Sequence, residues 1–107
     1  MNGIKYYYMR VRLSQKDIET IKSSAVEVFG EHSRVYIFGS RADLSKKGGD
    51  IDIFIESDMD IDLSKELKFL ALLQKRGIER KVDLVVKTPN AKYKDIFKEA
   101  KEKGVLL

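Results

Sequence analysis

The spacing of hydrophobic and polar positions changes period along the chain, and the changes mark out seven elements. Residues 4–13 alternate, with Tyr7, Met9, Val11 and Leu13 on one side and Tyr6, Tyr8, Arg10 and Arg12 on the other. That is a strand period with one apolar face. Ser14 is placed to cap a helix with Asp17 in its first turn. Ile18, Ile21, Ala25 and Val28 then recur at helical spacing as far as Phe29, and Gly30 supplies a stop. Residues 34–38 read as a buried strand, 43–49 as a polar Gly-rich loop, and 50–56 as a further strand. Asp62 or Ser64 can open a second helix, in which Leu63, Leu67, Leu70 and Ala71 give a wide apolar face and Gly77 marks the end. Residues 81–86 form another strand, closed by Pro89. A last helix is predicted from about Lys92 to Lys103, with Ile96, Phe97 and Ala100 inward and Gly104 as its stop. The apolar tail Val105-Leu106-Leu107 either packs on the core or meets a partner.

Connection lengths limit how these strands pair. About ten residues join 34–38 to 50–56, too few for a usual parallel crossover, so those strands are expected to be antiparallel. The helix between 50–56 and 81–86 permits a parallel pair. The end of one strand, at Gly39, and the starts of two others, at Asp50 and near Asp83, then converge on one edge of a small mixed sheet. The fold class is α/β (α+β), with helices mainly on one face.

Composition narrows the setting. With 107 residues the chain suits one domain, 1–107, in which 1–13 is an N-terminal strand extension. It contains no Cys, which excludes disulfides and thiolate zinc sites. No run approaches the roughly 20 apolar residues of a membrane span. The first residues lack the apolar core of a secretion signal, so a cytoplasmic protein without a membrane role is expected. A net charge of +4 mildly favours a polyanionic ligand such as a nucleotide or RNA. Solubilising Lys on helix faces accounts for the same charge. A small nucleic-acid binder would rest on charge and aromatics alone, since no recognition motif is present.

Candidate chemistry lies in the acidic residues of two otherwise apolar strands. Asp50 and Asp52 stand two apart and project from the same face, while Ile51, Ile53 and Ile55 fill the other. Two carboxylates roughly 7 Å apart repel by roughly 2 kcal/mol at an effective dielectric near 20. A cation removes that repulsion, and acidic oxygen ligands favour Mg²⁺ or Mn²⁺ over zinc. Asp83 interrupts Val82, Leu84, Val85 and Val86 and would bring a third carboxylate. Three carboxylates can hold two metals about 3.5–4 Å apart for in-line phosphoryl chemistry. The plainer alternative is that Asp50 caps a turn while Asp52 and Asp83 sit on a solvated face. Gly39 permits close approach of a phosphate, a helical turn at Ser40 would aim free N–H groups at the anion, and Arg41 offers a fork for phosphate oxygens. Lys46 and Lys47 either reach phosphates or are solvated. His32, in a polar turn, reads as a surface residue.

Taken together, Phe38-Gly39-Ser40-Arg41-Ala42, Gly49-Asp50-Ile51-Asp52-Ile53 and Val82-Asp83-Leu84-Val85 resemble the minimal nucleotidyltransferases of the DNA polymerase beta superfamily. The closing Lys103-Gly104-Val105-Leu106-Leu107 is similar to their C-terminus, and the likeness runs from about Ile18 to the end. The resemblance implies the nucleotidyltransferase fold. It implies that Gly39 and Ser40 hold triphosphate, that Asp50, Asp52 and Asp83 bind Mg²⁺ (or Mn²⁺), that Asp83 helps activate the acceptor hydroxyl, and that Arg41 touches phosphates or a partner. The implied reaction is transfer of NMP from an NTP, with ATP expected, and release of pyrophosphate. Many such proteins are antitoxins paired with a small helical HEPN-type toxin, and some adenylylate that toxin. Larger relatives such as kanamycin nucleotidyltransferase carry a fused helical domain for the acceptor, so a separate protein is the expected acceptor here. The alternative is a catalytically weak or inactive binding protein of the same fold that neutralises a toxin by contact. On this reading the Tyr-rich first strand is either a packed edge or a partner-binding edge.

Overall fold

The computed structural model describes residues 11–42 and 49–107. Helix α1 spans Gln15–Phe29. Ser14 caps it as predicted, its hydroxyl accepting the Asp17 N–H at 3.1 Å. Gly30, at φ +96°, ends it and donates its own N–H to the Val26 carbonyl. Strand β1 (Arg34–Phe38) runs into a single 3₁₀ turn at Gly39–Arg41. Then follow β2 (Ile51–Glu56), α2 (Leu63–Lys75, capped by Asp62), β3 (Val82–Lys87), α3 (Asp95–Lys103) and β4 (Val105–Leu106). The sheet order is β3-β2-β1-β4. β1 is antiparallel to β2 and β4, and β2 is parallel to β3, as the connection lengths require.

Strand alternation divides the interior in two. Val35, Ile37, Ile51, Ile53 and Ile55 face α1 and α2, where the Phe29 and Phe69 rings meet at 5.1 Å. On the other face Tyr36 and Phe54 pack against Phe97 and Ala100 of α3. Of the three helices among the described residues, α1 and α2 thus share one face, and α3 covers the second.

Two details depart from the sequence reading, and part of that reading lies outside the described residues. Of the predicted first strand, residues 4–10, with Tyr6, Tyr7 and Tyr8, lie outside the described residues, as do Lys46 and Lys47 of the loop. Residues 11–13 are bends rather than strand, yet Val11 and Leu13 are buried in the α1 core as their alternation predicts. In α2 the inward face is set by Phe69 and Leu73, while Leu63 and Leu67 stay 66% and 56% exposed. Leucines surround much of this helix, so its pattern does not single out one face, and the position of the large aromatic ring decides which side is buried. The apolar tail adds β4 to the edge of β1, and the Leu107 N–H is bonded to the Val35 carbonyl at 2.8 Å. Two residues are too few to show a strand period.

Candidate functional site

At one end of the sheet β1 finishes while β2 and β3 begin. The register places Phe38 opposite Asp52, and Asp52 beside Asp83. Paired residues on neighbouring strands point the same way, roughly 5 Å apart at the backbone. Asp50 precedes β2 by one residue and is exposed. Because Ile51 and Ile53 are fully buried against the helices, Asp52 is committed to the opposite face by strand alternation. Asp83 is committed in the same way by its neighbours Val82 and Leu84, which pack toward the α1–α2 core.

Gly39 joins the turn to this pair. Its φ is +68°, and a Cβ placed there would overlap the Asp52 carboxylate. The absent side chain therefore serves both the left-handed conformation and the close approach of the aspartate. Ser40 and Arg41 continue the turn, and the Ala42 N–H closes it on the Gly39 carbonyl at 3.2 Å.

The electrostatics follow from this crowding. Burial pushes the Asp52 carboxyl above its ordinary range, and the charges of Asp83 and Asp50 and a hydrogen bond with Asp83 add to the effect. Asp83 has a compensating cation in Lys81, whose Nζ lies 3.7 Å from Oδ1. The sequence reading passed over Lys81, although the two-residue spacing that pairs Asp50 with Asp52 also pairs Lys81 with Asp83. It passed over Arg80 as well, whose Nη1 lies 3.6 Å from where a Cβ on Gly49 would stand.

Arg41 is only 7% exposed. Its Nε donates to the Asp50 carbonyl at 3.3 Å, Nη2 to the Gly49 carbonyl at 3.1 Å and Nη1 to the Arg12 carbonyl at 2.8 Å. The sequence reading gives this guanidinium to phosphates or a partner, and in the structure its nitrogens meet main-chain carbonyls. Burial, then the charges of Arg12 and Arg80, pull its pKa down, with Asp17 acting against them.

A cleft of about 360 Å³ opens between α2 and the start of β3, lined in part by Leu70, Leu73, Ile78 and Val82. Leu73, Ile78 and Val82 belong to the α1–α2 side of the sheet, and Arg80 and Lys81, the latter paired with Asp83, also line the cleft.

Among the described residues, no three His, Asp or Glu side chains form a ready-made metal cage. The donor set nonetheless fits a hard divalent cation. All three candidates are carboxylates, and the repulsion that adds to burial in raising Asp52 is what a bound cation would relieve.

The sequence model for the family described as Polymerase beta, Nucleotidyltransferase matches residues 16–107. The chain belongs to the polymerase beta nucleotidyltransferase family. No curated protein matches it. The matched span of this nucleotidyltransferase domain takes in the Gly39 turn, all three aspartates, Arg41 and Lys81. Domains of this family typically use divalent metals, consistent with the oxygen donors found here. Among the described residues no helix is long and apolar enough to cross a membrane.

Proposed function

We propose that this domain transfers NMP from an NTP, with ATP as the expected donor, to a hydroxyl on a separate acceptor. The observation that carries this is the lateral pairing of Asp52 with Asp83 beside a glycine turn that has no room for a side chain. Gly39 and Ser40 receive the triphosphate. Asp50, Asp52 and Asp83 are the residues that would hold Mg²⁺ or Mn²⁺, and the bound cation supplies charge neutralisation for the phosphates. The acceptor oxygen forms a bond to the α-phosphorus and the bond from that phosphorus to the bridging oxygen breaks, so pyrophosphate leaves. Asp83, at the outer side of the cluster, accepts the proton of the acceptor hydroxyl. The acceptor we favour is a small helical toxin of the HEPN type, with this chain as its antitoxin in the cytoplasm.

The test is incubation with α-labelled ATP, Mg²⁺ and the protein encoded by the neighbouring gene, with Asp50→Asn as the control. Label should move to that protein with the native chain and not with the variant. Absence of transfer with each of the four NTPs removes the enzymatic reading.

A second reading is favoured by the exposed Leu63 and Leu67 on α2, which suit contact with another protein. On that reading the domain neutralises a toxin by binding alone. Asp52→Ala would then neutralise the toxin as well as the native chain does.

A further inference from the structure

Arg41 carries more hydrogen bonding than a turn of three residues requires. Its planar fork meets the carbonyls of two successive residues, Gly49 and Asp50, eight and nine positions along the chain. A third nitrogen holds the Arg12 carbonyl, while the Arg12 N–H returns to the Arg41 carbonyl at 2.8 Å. One residue further on, the Ile51 N–H is bonded to the Lys81 carbonyl at 2.9 Å. The Asp50 main chain is therefore gripped on both sides at the point where it enters the sheet. Asp50 itself is exposed and lies outside the strand, so no core packing fixes its direction.

Burying a guanidinium is costly unless its donors are satisfied. What the guanidinium adds is a fixed fork, matched to two carbonyls at once.

We infer that Arg41 is a positioning residue, which sets where the Asp50 carboxylate is presented beside Asp52 by holding the carbonyls of Gly49 and Asp50. The inference rests on the nucleotidyl-transfer reading for what that carboxylate holds. It is independent of that reading for the clamp itself.

The experiment compares the native chain, Arg41→Gln and Arg41→Lys in three measurements: Mn²⁺ binding followed by electron paramagnetic resonance, amide exchange at residues 50 and 51, and thermal unfolding. Loss of an outer partner of a metal ligand typically weakens binding by about 10–100-fold. Arg41→Gln should weaken Mn²⁺ binding by about tenfold or more and speed exchange at residues 50 and 51 while Phe54 and Ile55 stay protected. Arg41→Lys keeps the charge but not the fork, so it should fall between the two. It also serves as the folded comparison if the glutamine variant does not fold.

Native-like Mn²⁺ affinity in a destabilised Arg41→Gln, or unaltered exchange at residues 50 and 51, would reduce Arg41 to a general staple and overturn the inference. If the native chain binds no Mn²⁺, the proposed function fails at its metal site, and the exchange data alone decide the clamp.

Discussion

The Asp52 carboxylate lies where a side chain on residue 39 would have to begin. The turn and the second strand are thus fitted to one another at the site, and the fit depends on a missing atom. Gly39→Ala must either displace Asp52 or shift the turn, and it also places a Cβ at φ +68°. Such strain costs about 1–3 kcal/mol. We expect a stability loss of that order in urea denaturation, together with a loss of nucleotidyl transfer larger than the lost stability explains.

Asp52 itself should trade stability for function. Its pKa is raised by burial and by Asp83 and Asp50. The folded state therefore prefers the protonated form over the ionised one. That preference is fully present below the unfolded value of about 3.9 and is lost as pH rises through the raised folded value. Asp52→Asn, which cannot ionise, should match the native chain in acid and exceed it in stability near neutrality without metal. Urea titrations at several pH values check this. A variant less stable than the native chain at neutral pH would show that the carboxylate is satisfied in the fold.

Asp50→Asn should behave differently. Residue 50 is exposed and precedes the strand, so the stability change should stay within about 0.5 kcal/mol. Mn²⁺ binding and transfer should both be lost. A variant that fails to fold would move Asp50 to a structural role.

Helix α2 offers a test of which face supports the fold. Phe69 is fully buried against Phe29, and Phe69→Ala should cost about 3–5 kcal/mol. Leu67→Ala, at an exposed position, should change stability by less than about 0.5 kcal/mol. Thermal unfolding of the two variants side by side suffices. If Leu67→Ala leaves stability alone but abolishes binding to the proposed partner protein, the exposed leucines are the contact surface.

Much of this arrangement was legible in the residues themselves. Strand period fixes Asp52 on one face because Ile51, Ile53 and Ile55 need the other. A connection of about ten residues fixes the antiparallel hairpin, which brings Gly39 to Asp52. The direction of Arg41 was not legible. A lone guanidinium after Gly-Ser can serve an anion or a carbonyl equally well, and only the return of the chain to Gly49 and Asp50 decides between them. Lys81 was legible and overlooked, since it stands on the same side of β3 as Asp83. The buried side of α2 was ambiguous because leucines at Leu63, Leu67, Leu70, Leu72 and Leu73 surround the helix. The final strand was hidden by its brevity.

That final strand also settles the direction in which the chain leaves the sheet. β4 runs against β1, from Val105 opposite Ile37 to Leu107 bonded at Val35, while Gly39 and the aspartates stand at the other end. A dye carried on a cysteine introduced at residue 107 would stand at the far rim, leaving the acidic end clear for surface immobilisation or single-molecule work.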